Sequence, residues 1–175
     1  MKNNLVLIGF MGTGKTSLGR RLAKILNKDF IDIDTEIEKI TGLSIPQIFK
    51  KHGEIRFRSE EKLMVRKVAQ RDNCVISTGG GVVLFPGNVE ALSKNGWIIR
   101  LTASPQVIFE RVARRNNRPL LYRHKSVAYI EELMKQREPY YKCADLTIDT
   151  SNVDSEELVE RVLQFLKEKD IHERD

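Results

Sequence analysis

The segment Gly9–Thr16, with the sequence Gly-Phe-Met-Gly-Thr-Gly-Lys-Thr, limits this chain to a small set of folds. The apolar run Leu5–Ile8 precedes it, and the helix-forming segment Ser17–Leu26 follows it. The segment matches the phosphate-binding pattern G-x-x-x-x-G-K-[ST] in the strand-to-helix context that the pattern requires. Glycines let backbone N–H groups turn towards phosphate oxygens, and the positive end of the next helix faces the same anion. The sequence therefore predicts a P-loop that binds a nucleotide.

The side chains of this loop predict a division of tasks. Lys15 is expected to reach the β- and γ-phosphates, and Thr16 is expected to offer its hydroxyl to Mg²⁺. The residues expected to complete the phosphate cradle are Gly12, Thr13, Gly14 and Ser17. The alternative is a glycine-rich turn with a surface lysine, and the complete match in its proper context disfavours it.

Short apolar runs and helix-forming segments alternate along the chain. The predicted strands are Leu5–Ile8, Phe30–Ile33, Cys74–Ser77, Trp97–Leu101 and Leu146–Ile148. The predicted helices are Lys15–Leu26, Thr35–Thr41, Ile45–His52, Glu54–Gln70, Pro86–Lys94, Pro105–Arg114, Val127–Tyr140 and Ser155–Lys169. This alternation predicts an α/β fold, with a parallel sheet and helices on both of its faces. A length of 175 residues favours one domain.

Composition narrows the class of partner. No apolar run approaches the roughly 20 residues of a membrane-spanning helix, so no membrane partner is expected. The net charge of +6 raises nucleic acid as a ligand. However, the arginines cluster where small anions would bind, without an aromatic stacking surface, so we expect no nucleic acid. Cys74 and Cys143 show no metal-ligand spacing and are expected to be reduced thiols of a cytoplasmic protein.

Polar residues follow the second and third predicted strands, at the edge where parallel sheets bind ligands. Asp32 and Asp34 lie two residues apart, so on a strand both would project from one face. One carboxylate could hold Mg²⁺ and the other could orient a substrate hydroxyl. The alternative for Asp34 is a helix cap. Gly79–Gly81 follows the third strand and is expected to bring backbone amides close to a ligand.

Three arginines are candidate anion contacts. Arg58 could bind a carboxylate, but the residues alone favour the alternative, a solvated helix face with ion pairs to Glu54 and Glu61. Arg118 lies in the polar segment 114–125, a candidate lid that would bring this arginine to a transferring phosphoryl group. Arg137 offers a second anion clamp at a helix end.

Several further motifs accompany the P-loop in a fixed order. They are Asp32-Ile33-Asp34, Gly53-Glu54-x-x-Phe57-Arg58-x-x-Glu61, Ser77-Thr78-Gly79-Gly80-Gly81-Val82-Val83, Arg118-Pro119-Leu120-Leu121 and Arg137-x-x-Tyr140. On these motifs the chain resembles the shikimate kinase family. The P-loop is shared by many families, whereas this combination is specific.

The resemblance implies ATP-dependent, Mg²⁺-assisted phosphorylation of the 3-hydroxyl of shikimate, a step towards chorismate and the aromatic amino acids. It also implies a nucleoside-monophosphate-kinase-like three-layer sandwich around a five-stranded parallel sheet. On this basis residues 1–175 form a single P-loop kinase domain, with a lid at 114–125 and shikimate-binding helices at about 34–61. We expect a cytoplasmic monomer whose substrates are ATP and shikimate.

The resemblance further implies roles for the matching residues. The expected shikimate contacts are Asp34, Arg58, Gly79, Gly80, Gly81 and Arg137, with Glu61 holding Arg58. Lys15 and Arg118 would clamp the phosphoryl group. Thr16 would bind Mg²⁺, with Asp32 in its outer coordination sphere.

Adenine recognition departs from the family pattern. Family members often carry a basic residue just after the fifth strand, but residues 149–154 contain neither lysine nor arginine. Arg111 is therefore our candidate for stacking on adenine.

Three other functions remain as alternatives. A gluconate-type sugar-acid kinase would share the P-loop and the carboxylate recognition. A nucleoside-monophosphate kinase would need a base pocket that Arg58 and the triple glycine do not suggest. A non-catalytic nucleotide switch is expected to carry D-x-x-G and N-K-x-D motifs, and the segment 27–30 breaks the second.

Overall fold

The computed structural model describes residues 2–113 and 126–172. The strands are β1 (Asn4–Gly9), β2 (Asp29–Asp32), β3 (Cys74–Ser77), β4 (Gly96–Thr102) and β5 (Leu146–Asp149). The α-helices are α1 (Lys15–Leu26), α2 (Ile33–Thr41), α3 (Ile45–Ala69), α4 (Pro86–Ser93), α5 (Pro105–Ala113), α6 (Val127–Arg137) and α7 (Ser155–His172). Short 3-10 helices span Val82–Leu84 and Glu138–Cys143.

The strands form one parallel sheet in the order β2-β3-β1-β4-β5. In the central register, Leu5 lies opposite Val75 on one side and Trp97 on the other. The predicted five-stranded parallel sheet is confirmed. Because all strands run the same way, all their carboxyl ends meet at one edge, where open sheets of this kind bind ligands.

Helices cover both faces of the sheet, as the alternation along β1 requires. Val6 and Ile8 face a core built with Ile37 of α2 and Val65 of α3. Leu5 and Leu7, one residue out of phase, face the opposite core, which includes Leu22 of α1 and Val162 of α7. A strand buried on both faces is apolar throughout, which is why β1 carries four consecutive aliphatic residues. The sheet is therefore the middle of three layers.

Helix α2 begins earlier than its sequence predicts, and this corrects the placement of two aspartates. β2 ends at Asp32, whose Oδ1 accepts a hydrogen bond from the N–H of Thr35 at 3.2 Å. Asp32 therefore caps α2 by satisfying a free N–H of its first turn. The prediction that Asp34 shares a strand face with Asp32 is wrong, since Asp34 lies in the first turn of the helix. The alternative that Asp34 itself is the cap is also wrong.

Helix α3 joins the two predicted helices, Ile45–His52 and Glu54–Gln70, across a kink at Gly53. This glycine has φ 78° and ψ 175°, a conformation that essentially only glycine adopts. Ser44 and Gln47 close the start of the helix with reciprocal side-chain-to-backbone hydrogen bonds. Beyond the kink, α3 carries Arg58 and Glu61.

Among the described helices, none combines the length and the apolar character needed to cross a membrane.

Candidate active site

The P-loop holds its lysine by backbone contacts. Lys15 opens α1, and its Nζ donates to the carbonyl oxygens of Gly9 and Phe10, both at 2.8 Å. Gly12 and Gly14 have φ angles of 78° and 94°, and these left-handed conformations fold the chain around the ammonium group. The side chain is 8% exposed. The cation is thus fixed inside the loop by a single continuous segment of chain.

Oxygen groups suited to Mg²⁺ lie beside the loop. Thr16 Oγ1 donates to Asp32 Oδ2 at 2.9 Å and lies 3.5 Å from Ser77 Oγ. Mg²⁺ prefers oxygen ligands, keeps several waters and binds through one or two protein groups together with phosphates. The hydroxyl and carboxylate fit that pattern. Accordingly, no cluster of three or more His, Cys, Asp or Glu capable of holding a metal occurs in the described ranges.

An open cleft of about 390 Å³, which we call the P-loop cleft, lies on one side of the loop. Its lining residues are Gly12, Thr13, Gly14, Ser17, Leu18, Arg21, Arg111, Thr150, Val153, Ser155 and Leu158. Arg111 donates to Thr150 Oγ1 at 2.9 Å, to Thr150 O at 2.7 Å and to Gly12 O at 3.3 Å. The structure thus places Arg111 beside the cradle; its stacking on adenine stays a prediction.

Sequence reasoning missed Thr150 as a structural link in this cleft. Its side chain is buried, and its Oγ1 lies 3.2 Å from Thr13 O and 3.1 Å from Thr102 O. It therefore ties the end of β5 to the P-loop. The available clue was its position, directly after the fifth strand at the ligand-binding edge.

A smaller cavity of about 60 Å³, the triple-glycine pocket, lies on the other side of the loop. It is lined by Met11, Ile45, Phe49, Phe57, Asp34, Arg58, Glu61, Gly79, Gly80, Gly81 and Arg137. Every residue predicted to contact an acid substrate is in this set. The apolar wall of the pocket could not be predicted, because Ile45, Phe49 and Phe57 look like ordinary core residues in the sequence.

Arg58 is held between two carboxylates at the pocket wall. Its Nη1 donates to Glu61 Oε2 at 2.9 Å, and its Nη2 donates to Glu54 Oε1 at 3.1 Å. The predicted helix ion pairs are therefore present, but the arginine side chain is only 20% exposed and lines the pocket. Burial opposes its charge, yet the carboxylates of Glu61 and Glu54 leave the pKa of Arg58 raised above its ordinary value. The guanidinium stays charged.

Glu61 is the most deeply buried carboxyl group of the pocket. Its residue is 1% exposed, and its Oε1 accepts no hydrogen bond within the described part of the chain. Burial raises the pKa of Glu61; Arg58 opposes this effect, and the nearby carboxylate of Asp34 adds to it. An arginine that is anchored by such a group keeps one orientation towards the pocket.

The glycines allow the chain to pass these side chains closely. A Cβ on Gly79 would lie 2.9 Å from Asp34 Oδ1 and 3.1 Å from Glu61 Oε1. A Cβ on Gly81 would lie 2.6 Å from the Cζ atom of Arg58. Any larger residue would push the charged groups out of place, which explains why glycine recurs here.

Arg137 reaches the pocket from the end of α6. Its residue is 9% exposed, its Nη1 lies 3.5 Å from Gly80 O, and its Cζ lies 5.4 Å from the ring centroid of Phe10. Arg137 and Arg58 thus line one cavity. Arg118 and the predicted lid lie outside the described residues.

A P-loop at the carboxyl edge of a parallel sheet, with a second pocket lined by Arg58 and Arg137, is the architecture of a P-loop kinase. The model of the shikimate kinase family matches residues 11–167. A shikimate kinase of Pelotomaculum thermopropionicum is 54% identical over 165 residues, covering 94% of this chain and 96% of that protein. A shikimate kinase of Caldanaerobacter subterraneus is 48% identical over 161 residues, covering 92% of this chain and 94% of that protein. The chain belongs to the shikimate kinase family, and the resemblance found in the sequence is confirmed.

Solved structures agree with this assignment. Shikimate kinase from Acinetobacter baumannii in complex with shikimate superposes with a TM-score of 0.91 at 36% identity, covering 97% of this chain and 95% of that one. A gluconokinase from Sinorhizobium meliloti has a TM-score of 0.64 at 17% identity, covering 99% of this chain and 97% of that one. At that identity the likeness shows the fold alone, so it does not support the sugar-acid alternative.

Proposed function

We propose that the protein transfers the γ-phosphoryl group of ATP to the 3-hydroxyl of shikimate, giving shikimate 3-phosphate and ADP on the route to chorismate and the aromatic amino acids. The observation that carries this proposal is the position of the P-loop, which has the P-loop cleft on one side and the triple-glycine pocket on the other. Membership of the shikimate kinase family supports the choice of acceptor.

The nucleotide occupies the P-loop cleft. Backbone N–H groups of Gly12–Ser17 cradle its phosphates, and the ammonium group of Lys15 leaves the loop carbonyls for the γ-phosphate oxygens. Thr16 would bind Mg²⁺, and Asp32 would support the ion from the outer coordination sphere. The bound ion would neutralise part of the phosphate charge. Arg111 stacks on the adenine.

Shikimate occupies the triple-glycine pocket. Its carboxylate pairs with Arg58 and Arg137, and the amides of Gly79–Gly81 contact the ring. Two arginines suit a single small anion because a nearly neutral ring offers little else that fixes its orientation. Asp34 orients the 3-hydroxyl towards the phosphorus.

The phosphoryl group is transferred by a displacement at the γ-phosphorus. The 3-oxygen forms a bond to the γ-phosphorus while the bond between that phosphorus and the β,γ-bridging oxygen breaks, and ADP leaves with the electron pair. Asp34 takes the hydroxyl proton. Lys15 and Arg118 stabilise the charge that spreads over the transferring group. We include the segment 114–125 as the lid that excludes water, which would otherwise compete as acceptor.

The remaining parts of the proposal concern the setting of the enzyme. We place it in the cytoplasm as a monomer, and the two free cysteines, Cys74 and Cys143, support a reducing compartment. Cell fractionation tests the location. Size-exclusion chromatography with light scattering tests the monomer.

The central test is turnover measured by coupled detection of ADP. Purified protein, ATP and Mg²⁺ are combined in parallel with shikimate, gluconate or a panel of nucleoside monophosphates. We expect ADP release with shikimate alone, and phosphorus NMR of the product to place the phosphate on the 3-oxygen. Faster turnover of gluconate or of a nucleoside monophosphate would replace the proposal.

A further inference from the structure

Tyr141 makes a contact that the sequence motifs did not anticipate. It lies in the 3-10 helix Glu138–Cys143, and its hydroxyl donates to Gly80 O at 3.0 Å. Tyr141 is 3% exposed, whereas the adjacent Tyr140, which ends the quoted family motif, is 45% exposed. Of the two neighbouring tyrosines, only Tyr141 touches the triple-glycine loop.

The carbonyl that Tyr141 binds is shared with a proposed substrate contact. Gly80 O also lies 3.5 Å from Nη1 of Arg137. A carbonyl oxygen has two lone pairs, so it accepts both donors. The contact from the tyrosine is short and the contact from the arginine is long. The hydroxyl therefore supplies the main anchor of this carbonyl and leaves the guanidinium only loosely engaged with it.

The ring of Tyr141 packs against a guanidinium group. The guanidinium of Arg100 on β4 lies 4.7 Å from the ring centroid of Tyr141. The same guanidinium binds Glu138 through two hydrogen bonds of 2.7 and 2.6 Å, and Glu138 opens the 3-10 helix that carries Tyr141. Paired contacts of this kind fix orientation as well as distance. The ring is thus clamped between the sheet and the acid pocket.

The Tyr141 hydroxyl keeps its proton and so remains a hydrogen-bond donor. Burial raises the pKa of Tyr141 to about 12, against the opposing charges of Arg137 and Arg100. The group therefore stays protonated throughout the pH range in which a kinase works, and the hydrogen bond to Gly80 does not titrate.

We propose that Tyr141 is a positioning residue for the acid substrate, fixing the Gly80 carbonyl so that Arg137 and the triple-glycine loop face the carboxylate. This inference rests on the proposed function of the same pocket. The described peptide bonds include no cis bond, and a trans peptide directs its C=O and N–H to opposite sides. Anchoring Gly80 O therefore also sets the direction of the Gly81 N–H.

Loss of the hydroxyl should act on the acid and spare the nucleotide. Without it, Arg137 becomes the donor nearest to Gly80 O within the described structure, and the arginine is drawn away from the substrate carboxylate. Gly80 adjoins Met11 of the P-loop, where a Cβ on the glycine would lie 3.3 Å from the Met11 nitrogen. Even so, neither Tyr141 nor Gly80 lines the P-loop cleft.

The test compares Tyr141→Phe with the matched control Tyr140→Phe. We expect Tyr141→Phe to raise the KM for shikimate about two- to tenfold, the range of one net hydrogen bond. Its kcat and its KM for ATP should stay within about twofold of wild type. Tyr140→Phe should leave all three constants unchanged. A lowered melting temperature with an unchanged shikimate KM would show a merely structural role and overturn the inference, as would equal rises in both KM values.

A second variant keeps the inference testable if Tyr141→Phe does not fold. Arg100→Lys retains the charge but loses the paired contact with Glu138. It should raise the shikimate KM by less than Tyr141→Phe, without changing the KM for ATP. An unchanged shikimate KM in a folded Arg100→Lys enzyme would overturn the inference. Failure of the wild type to phosphorylate shikimate would instead refute the proposed function itself, so the two failures are distinguishable.

Discussion

The P-loop cleft and the triple-glycine pocket lie on either side of one loop, and different kinds of contact build them. In the P-loop beside the cleft, the backbone holds the lysine: Lys15 Nζ donates to the carbonyl oxygens of Gly9 and Phe10. At the pocket, charged side chains hold one another, as Arg58 does with Glu61 and Glu54. The cleft has a volume of about 390 Å³, whereas the pocket has a volume of about 60 Å³.

The difference has a functional meaning. Phosphates are multiply charged and alike in every nucleotide, so a backbone cradle with a few cationic groups can bind them. A small ring acid must be distinguished from others and aimed, which needs side chains in set positions. We therefore expect substitutions at the cleft to reduce the rate of chemistry, and substitutions at the pocket to reduce substrate affinity unless they touch the reacting hydroxyl.

The largest effect is expected from Lys15→Ala. Removing a cation that stabilises the transferring phosphoryl group should lower kcat by about 10²–10³-fold or more. Lys24→Ala, on the exposed part of the same helix, is the control and should match wild type. Steady-state ADP release measures both. Full activity of Lys15→Ala would contradict the expectation that substitutions on the nucleotide side reduce the rate of chemistry.

Asp34→Asn should come next, because Asp34 is the one pocket residue proposed to act on the reacting hydroxyl. The amide keeps the shape of the side chain but accepts no proton, so kcat should fall about 10²-fold or more with little change in the KM for shikimate. Glu36→Gln, in the same turn of α2, is the control. A change confined to KM would make Asp34 a binding residue only.

Arg58→Ala should mainly weaken shikimate binding. A charge-assisted contact is worth about 1.5–3 kcal/mol, so KM should rise about 10- to 100-fold with a smaller change in kcat. Arg56→Ala removes an exposed arginine that is paired with Glu60 on the same helix, and it should have no effect. A pure loss of kcat in Arg58→Ala would contradict the division between the two sites.

Gly53→Ala tests the kink that brings Arg58 to the pocket. The conformation with φ 78° and ψ 175° costs a residue with a side chain about 1–3 kcal/mol. The melting temperature should therefore fall by several degrees, about 2–4 °C for each kcal/mol in a chain of this size. Thermal unfolding measures it, with Lys51→Ala as the control at an exposed helical position. An unchanged melting temperature would show that the kink carries no strain.

The smallest effect is a pH dependence of stability that arises from Glu61. Because burial raises the pKa of this group, the folded state holds its proton more tightly than the unfolded state. Its contribution to stability is therefore greatest at acidic pH and declines as pH rises from the ordinary glutamate value of 4.5 through the folded pKa. Glu61→Gln does not titrate, so the melting temperature of this variant relative to wild type should increase between pH 4 and pH 7.

If the melting temperature of Glu61→Gln relative to wild type decreases between pH 4 and pH 7, pairing with Arg58 affects the pKa of Glu61 more strongly than burial does. Glu60, which precedes Glu61 in the same helix and pairs with Arg56, provides the control variant Glu60→Gln.

Most of the fold could be predicted from the sequence because it depends on local patterns. The four aliphatic residues of β1 predict a strand buried on both faces, and the bounds of α1 and β3 match the prediction. The start of α2 was missed because the capping contact of Asp32 with Thr35 competes with the strand pattern. The two halves of α3 were predicted, but their union across Gly53 was not.

The P-loop, the parallel sheet and the family follow from the sequence, because each depends on residue types that are close together or in a fixed order. How the triple-glycine pocket is built depends on the packing of the whole chain, since its walls come from distant segments: Met11, Asp34, Arg58, Gly79–Gly81 and Arg137. The same holds for the partner of Gly80: Tyr141 rather than Tyr140 binds it, because the burial and the orientation of a side chain depend on the packing of the whole chain. These features differ in predictability because the forces behind them act over different ranges. Backbone conformation and capping act between neighbours in sequence, whereas desolvation and side-chain pairing act between neighbours in space.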